Sequence, residues 1–266
     1  MGDPGHLLPL IGLTFLLGLR HGMDPDHLAV VDNITRFNVA SHARAARWCG
    51  LFFSLGHGAM VTLVAALLAV AAGARLVPSW VKHLGQAISV VFLVAMGLLN
   101  LQTLRKAGNG AAALPRGLRA GLVMHFCRVS HPLAISAIGA AFAISMDTLS
   151  QAAVFSLAAT GRHASGVALL LGCVFTLGML AVDTANGWWV HRMIRSLDRH
   201  DQTWTRGLTL AIALLSLGLA AAGLLRLMDA GIADLYAANA LKLGGISIAL
   251  LTAIFATALL THRAPD

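Results

Sequence analysis

The sequence predicts an all-α protein of the polytopic membrane class with seven transmembrane helices, and three observations support this fold class. Apolar residues make up 58% of the 266 residues and charged residues only 11%, whereas soluble domains carry about 25% charged residues. Mean hydropathy is +0.77. The apolar residues form aliphatic runs of about 20 residues, the length that a membrane helix needs. We therefore expect residues 1–266 to form a single transmembrane domain.

Seven runs meet this length criterion. They cover residues 7–31, 50–74, 85–104, 132–160, 166–191, 207–226 and 241–261. The first run reaches the required length only if the polar segment at residues 21–27 lies within the membrane. We therefore expect the polar segment to belong to the first span.

The basic residues predict the orientation of these spans. Thirteen Lys and Arg residues lie in the segments after spans one, three and five and in the C-terminal tail, whereas five lie in the other connecting segments. Because Lys and Arg accumulate on the cytoplasmic side, we expect the N-terminus outside and the C-terminus in the cytoplasm. These segments account for the net charge of +8, and no nucleic-acid-binding motif accompanies them.

A weak internal repeat relates spans one to three to spans four to six. Three pairs of segments correspond at offsets of 121 to 123 residues: Phe53-Ser54-Leu55-Gly56 with Phe175-Thr176-Leu177-Gly178, Met23-Asp24 with Met146-Asp147, and Gly97 with Gly218. The copies cover about 7–105 and 132–226, and an extra helix covers about 241–261. Because each copy has an odd number of spans, the two copies would be inverted, as in many secondary transporters. Chance similarity between Gly- and Leu-rich helices is the alternative.

A cluster of ionisable residues interrupts the first span. It consists of His21, Asp24, Asp26 and His27. Such side chains are costly within a bilayer and are kept mainly for function, and Asp and His are good ligands for divalent first-row metals. Pro25 lacks an N–H group and its ring collides with the carbonyl of His21, so we expect a broken helix that lines a cavity. The alternative is a structural Asp–His–Arg network with Arg20 as the counter-ion.

Further candidate residues lie on later spans. His57 stands between two glycines that allow close helix approach, and we interpret it as a metal ligand rather than as a satisfied core histidine. Asp147-Thr148 in span four and Asp183 in span five either contact the ion or orient a ligand histidine. Pairing with Arg20 or capping of broken helix ends is the alternative for these two carboxylates.

Polar residues nearer the predicted cytoplasmic side extend a candidate path for the ion: Asp32, Asn33 and Asn186. They form either an exit station or plain helix caps. The connection after span three contains three potential metal donors: His125, Cys127 and His131. These donors either pass a metal onward or belong to a plain basic loop, which is the simpler interpretation.

The sequence contains no Walker loop, no G-x-S-x-G and no H-E-x-x-H motif. We therefore expect no organic cofactor, no ATP-driven transport and no ATPase subunit. The membrane potential is a sufficient energy source, because a charge of two that crosses 100 mV gains about 4.6 kcal/mol. An intramembrane metalloenzyme with Asp147 as its base and a structural membrane subunit are the alternatives from other classes.

In these residues the chain resembles the nickel/cobalt transporter family of bacterial permeases. The family signature H-x4-D-H stands here as His21-x4-Asp26-His27. Three further motifs follow in the family's order: Phe53-Ser54-Leu55-Gly56-His57-Gly58, Met146-Asp147-Thr148 and Leu177-Gly178-Met179-Leu180-Ala181-Val182-Asp183-Thr184-Ala185-Asn186-Gly187. Family members usually have eight helices with the signature in the second, whereas seven spans are drawn here. Gln151 and Asn186 stand where related proteins are expected to carry acids.

The resemblance implies high-affinity uptake of Ni2+ or Co2+, with the metal as the transported substrate. Taken with the residues, it predicts five metal ligands: His21, Asp24, Asp26, His27 and His57. Eight further residues are expected to line the path or to orient the ligands: Arg20, Asp32, Asn33, Asp147, Thr148, Gln151, Asp183 and Asn186. Metal efflux is the alternative within this class, and the small number of histidines after span three argues against it.

Overall fold

The structure is a computed structural model that describes residues 4–70, 79–107, 131–144, 151–152, 154–156, 164–197 and 202–263. Within these ranges the secondary structure is helical and contains no strand, so the all-α prediction is confirmed. Eight helices can be delimited there: α1 (Pro4–Gly22), α2 (Pro25–Ala46), α3 (Cys49–Val70), α4 (Ser79–Ala107), α5 (Pro132–Phe142), α6 (Ala164–Leu197), α7 (Gln202–Met228) and α8 (Ala230–Arg263).

Four segments within the described residues are long and apolar enough to cross a membrane: Cys49–Val70, Gln86–Arg105, Ala164–Arg195 and Thr209–Met228. They coincide with predicted spans two, three, five and six. A helix of about 20 apolar residues matches the thickness of the hydrocarbon core, so these four segments support a membrane location.

The other three predicted spans correspond to shorter apolar helices: Leu7–Gly22, Pro132–Phe142 and Leu241–Leu250. The described part of the span drawn over residues 132–160 is not one helix. Helix α5 ends at Phe142, and residues 143–144 form a turn.

The expected break in the first span is present between α1 and α2. Asp24 has an extended backbone with φ −63° and ψ 137°, and α2 restarts at Pro25. Proline is well suited to the first position of a helix because the N–H group at that position has no helical partner. Helix α2 then continues to Ala46, well beyond residue 31, where the predicted span ends.

Helix α2 lies inside the bundle, in contact with α3, α4, α6, α7 and α8. Residues 27–35 are all buried. A helix that is enclosed on every side can carry polar groups toward several neighbours at once, because none of its faces has to be compatible with lipid. The break therefore delivers the second half of the polar segment into the centre of the molecule.

Helix α6 packs directly against α1, α2 and α3, and α3 also packs against α5. Glycines set the spacing of these contacts. A Cβ atom on Gly18 of α1 would overlap the carbonyl of Phe175 on α6, and a Cβ atom on Gly56 of α3 would overlap the carbonyl of Ser136 on α5. Such small residues let the backbones of membrane helices approach closely.

Candidate metal centre

Three histidines meet where α1, α2 and α3 converge. His21 lies in the last turn of α1, His27 in the first turn of α2 and His57 in the middle of α3. Their side chains are buried, with exposed fractions of 3%, 3% and 0%. One ring nitrogen from each lies within 4.8 Å of the others, and the Nε2 atoms of His21 and His57 are 3.3 Å apart. We call these three residues the histidine cluster.

The helix break explains how His21 and His27 come together. In a continuous helix a separation of six residues places them about 9 Å apart along the axis. The turn at residues 23–24 instead brings their ring centroids to 4.5 Å, and the His57 ring lies 5.2 Å from His21 and 4.6 Å from His27. Three imidazoles at this spacing are suited to a first-row dication such as Ni2+, Cu2+ or Zn2+.

Two carboxylates hold the outer ring nitrogens of this cluster. The Asp24 Oδ2 atom lies 3.0 Å from His21 Nδ1, and the Asp183 Oδ2 atom of α6 lies 3.4 Å from His27 Nδ1. A carboxylate on one ring nitrogen fixes the ring orientation and makes the other nitrogen a better ligand. With Nδ1 donating to the carboxylate, the Nε2 atoms of His21 and His27 are left to bind an ion.

Asp183 is itself held in place by a hydroxyl group. Ser54 of α3 donates a hydrogen bond from Oγ to Asp183 Oδ2 at 2.6 Å, and both side chains are fully buried. The sequence reasoning missed Ser54 as a site residue. Its spacing could have indicated the role, because Ser54 precedes His57 by three residues and so lies on the same face of α3.

Two phenylalanines close the apolar side of the cluster. The ring centroid of Phe175 lies 5.4 Å from that of His21, and the edge-on ring of Phe53 lies 5.2 Å from that of His27. Both phenylalanines are fully buried. They are a second feature that the sequence reasoning did not single out, and they limit the access of water to the imidazoles.

The remaining residues of the predicted segment lie around the cluster. Asp26 accepts a hydrogen bond from the backbone N–H of His27 through Oδ1 at 3.0 Å, in the first turn of α2, so this oxygen faces the helix start. Arg20 is exposed. The carboxylates of Asp24 and Asp183 are paired with histidines, which is the arrangement expected of ligand support.

The predicted path residues separate into two groups. Asp32 Oδ1 accepts a hydrogen bond from Asn186 Nδ2 at 2.9 Å, across the interface of α2 and α6. Asn33 points to other helices: its Nδ2 donates to Ser216 Oγ at 2.8 Å and its Oδ1 accepts from Asn100 at 2.6 Å. Asp32 and Asn33 are therefore not members of one cluster.

The other predicted residues are only partly described. Gln151 lies in a short helical segment, and its Oε1 atom is buried without a hydrogen-bond partner among the described residues. His131 is exposed at the start of α5. Outside the described residues lie Asp147, Thr148, His125 and Cys127.

The chain matches the NicO family, described as high-affinity nickel-transport protein, over residues 7–262. The chain belongs to the NicO family. This membership confirms the resemblance drawn from the motifs, and it assigns the chain to a family of transport proteins rather than of enzymes. With the four apolar helices it identifies a membrane protein. No solved structure matches the chain significantly.

The chain is similar to several curated transport and incorporation proteins. The hydrogenase nickel incorporation protein HupN of Bradyrhizobium diazoefficiens is 29% identical over 80% of this chain and 64% of its own length. The nickel transporter NicT of Mycobacterium tuberculosis is 32% identical over 77% and 64%. The cobalt transport protein NhlF of Rhodococcus rhodochrous is 28% identical over 72% and 62%. The chain spans less than two thirds of the length of each of these relatives.

Proposed function

We propose that this chain carries Ni2+, and also Co2+, inward across a bacterial inner membrane as the transported substrate. The observation that carries the proposal is the histidine cluster, which is buried at a helix break and supported by two carboxylates. Membership of the NicO family favours nickel, and the name of the relative NhlF extends the proposal to cobalt.

In this proposal the ion is bound by the Nε2 atoms of His21, His27 and His57. Asp24 and Asp183 orient two of these rings and also offset the charge of the dication, which is costly to bury without opposite charge nearby. Asp24 and Asp26 stay candidate direct ligands. Their geometry supports another division of roles, because Asp24 contacts His21 and Asp26 contacts the start of α2.

We further propose that the ion leaves the cluster along α2. Asp32 lies five residues beyond His27, a rise of about 7.5 Å along the helix. Its carboxylate and the amide of Asn186 border a small cavity between α2, α6 and α8. An acidic group at that distance can accept a dication that the imidazoles release. Asn33 instead braces α2 against α4 and α7.

The single domain of residues 1–266 is proposed to contain two inverted repeats and an extra helix. The glycine contacts support this arrangement. The Cβ position of Gly18 overlaps the carbonyl of Phe175, and that of Gly139 overlaps the carbonyl of Phe53. Gly18 and Gly139 are related by an offset of 121 residues and the two phenylalanines by 122, so each repeat makes the same contact with the other. The N-terminus is proposed to lie outside and the C-terminus in the cytoplasm.

The decisive experiment measures 63Ni accumulation in cells that produce the full chain. We expect His27→Ala to abolish accumulation, because it removes one of three ligands, while the protein stays in the membrane at its normal amount. His83→Ala is the matched control, since His83 is exposed on α4 and lies outside the cluster.

Two outcomes would contradict the proposal. Normal accumulation by a His27→Ala variant that is present in the membrane would exclude the histidine cluster as the transport site. A lower cellular 63Ni content in cells with the parental chain than in cells without it would show export, and would reverse the proposed direction.

A further inference from the structure

An open groove runs between the start of α3 and the second half of α6, on the outer surface of the bundle, with a volume of about 530 Å3. Leucines form its apolar part: Leu51, Leu177 and Leu180. Arg47, Trp48 and Trp188 form its polar end. This volume is large enough for a phosphate headgroup and the first part of an acyl chain, since ligand pockets occupy roughly 300–1,000 Å3.

Two arginine–tryptophan pairs lie at the polar end of the groove. Arg47 belongs to the lining itself, and Arg192 lies beside the lining residue Trp188. The guanidinium carbon of Arg47 lies 5.2 Å from the centre of the Trp48 ring, and that of Arg192 lies 5.6 Å from the centre of the Trp188 ring. Trp48 is 39% exposed and Trp188 is 49% exposed. Among the described residues that line the groove none is acidic, so the groove presents uncompensated positive charge beside an apolar surface.

The groove lies at one end of the bundle. Helices α3 and α6 run antiparallel, because the start of α3 packs on the second half of α6 at Gly50 and Asp183, whereas Gly172 packs on Thr62. The arginines at this end are those that predict the cytoplasmic side. Tryptophan is enriched at the membrane–water interface, so Trp48 and Trp188 indicate the level of the lipid headgroups.

We propose that this groove is a binding site for an anionic diacyl phospholipid of the cytoplasmic leaflet. The phosphate lies between Arg47 and Arg192, and one acyl chain follows the leucines of α3 and α6. Arginine binds phosphate through charge-assisted hydrogen bonds, and basic pockets between membrane helices on this side bind anionic headgroups. The proposal rests on the orientation given under the proposed function.

Charge favours a lipid over a second copy of the chain as the occupant. A symmetric dimer places the same patch against itself, so Arg47 and Arg192 of one copy would face the same arginines of the other without an acid in the groove to offset them. A zwitterionic lipid would bring a second positive charge to the same place. An anionic lipid is the partner that neutralises the groove.

The groove is adjacent to the metal centre through the backbone of α6. A Cβ atom on Gly50 would overlap the carbonyl of Asp183, while the side chain of Asp183 reaches His27 and Ser54 on the other side. A lipid seated across α3 and α6 therefore braces the contact that holds Asp183. We expect bound lipid to raise the melting temperature of the protein as well as to occupy the groove.

The test is native mass spectrometry of the purified full chain with phosphatidylglycerol and phosphatidylcholine of identical acyl chains. We expect the parental chain to retain phosphatidylglycerol preferentially. The Arg47→Gln/Arg192→Gln variant should reduce this preference by about 25-fold, since each basic residue contributes a factor of about five. The matched control is Arg105→Gln/Arg206→Gln, which removes the same charge from exposed positions at the same end of the bundle and should keep the preference.

A second variant separates loss of charge from loss of fold. Arg47→Lys/Arg192→Lys keeps the positive charge and should keep most of the preference for phosphatidylglycerol. Equal retention by the glutamine variant and the parental chain, or an equal loss in the Arg105/Arg206 control, would overturn the proposal. A change from dimer to monomer with unchanged lipid preference would also overturn it and would assign the groove to a contact between copies. These readouts do not depend on nickel transport, so failure of the lipid site and failure of the proposed function are distinguishable.

Discussion

Each of two imidazoles in the histidine cluster contacts a carboxylate through the nitrogen that faces away from the cluster centre. For His27 the contact extends to a third residue, because Ser54 donates to the same Asp183 oxygen. In the proposed function Asp183 holds a ligand histidine, because its Oδ2 atom contacts both His27 and Ser54. The affinity for metal would then depend on residues that do not touch the ion.

Asp183→Asn is expected to weaken nickel binding without unfolding the protein. The amide keeps the shape of the carboxylate and can still accept hydrogen bonds, but it carries no charge to support His27. Loss of such a supporting partner typically lowers metal affinity by about 10- to 100-fold. The measurement is the nickel concentration that gives half-maximal 63Ni uptake. Asp229→Asn is the control, because Asp229 caps the start of α8 and Asn serves equally well there.

Asp24→Asn and Asp26→Asn are expected to differ in the same assay. Asp24 supports His21, so its neutralisation should raise the nickel concentration that gives half-maximal uptake by about 10- to 100-fold. Asp26 accepts a hydrogen bond from the backbone N–H of His27, and the side-chain oxygen of Asn can accept the same bond, so the effect should stay below about tenfold. Equal losses in both variants would instead make Asp26 a direct ligand, as the sequence signature predicts.

The sequence was sufficient to single out the three histidines and to name Asp183 as a residue that contacts the ion or orients a histidine. It did not indicate which histidine Asp183 contacts, or that Ser54 donates to Asp183. His21 and His27 follow from local chemistry, because Pro25 and the ionisable side chains lie within one short segment. His57 follows from its position between two small residues. The contact between Asp183 and His27 joins residues that are 156 positions apart, so it depends on how α2 and α6 pack, which no local pattern encodes.

At the level of the helices, the distance between α1 and α6 determines whether His21 can reach the cluster. Gly18 lies one turn before His21 on α1, directly against the carbonyl of Phe175. A larger residue at this position has to push α1 away from α6. His21 would move with its helix, because it lies in the same rigid turn.

Gly18→Ala is expected to destabilise the protein by about 1–3 kcal/mol, as overpacking of a tight contact does. Thermal unfolding in detergent, followed together with 63Ni uptake, should show a lower melting temperature and weaker uptake. Gly12→Ala on the same helix is the control, since nothing lies within 4 Å of its Cβ position. That change should be neutral or stabilising, because Ala favours a helix over Gly by up to about 1 kcal/mol. Unchanged stability in Gly18→Ala would mean that the two helices are not held at this spacing.

The sequence predicted best those helices that a long apolar run identifies without knowledge of their neighbours. Spans two, three, five and six are long apolar runs and reappear as α3, α4, α6 and α7. The described parts of spans one and four are interrupted. A hydropathy criterion does not locate the ends of helices inside an apolar run that polar residues interrupt. The boundary within span one depends on a neighbouring helix, because Asp183 of α6 contacts His27 directly beyond the break.

For the whole molecule, the proposed cargo carries two positive charges and the described residues contain no nucleotide-binding motif. The membrane potential then acts directly on the ion. The expected dependence is steep, about tenfold in accumulation for every 30 mV, because one charge gains about 2.3 kcal/mol per 100 mV.

Proteoliposomes with the purified chain can measure this dependence. Potassium gradients with valinomycin set the interior potential, and accumulated 63Ni is expected to rise as the interior becomes more negative. The His27→Ala variant serves as the control for leakage. Accumulation that follows an imposed pH gradient at zero potential, and does not respond to the potassium gradient, would contradict uptake driven by the potential alone.

The enclosure of α2 has a consequence for engineering of the ion route. Since residues 27–35 are all buried, this segment of α2 has no exposed position on which a reporter group or a solubilising change can be introduced without cost. Libraries that aim to alter metal selectivity are better directed to the neighbouring helices that face it, where one side of each residue pattern is free to vary. The most informative helix of the molecule is therefore also the one least open to redesign.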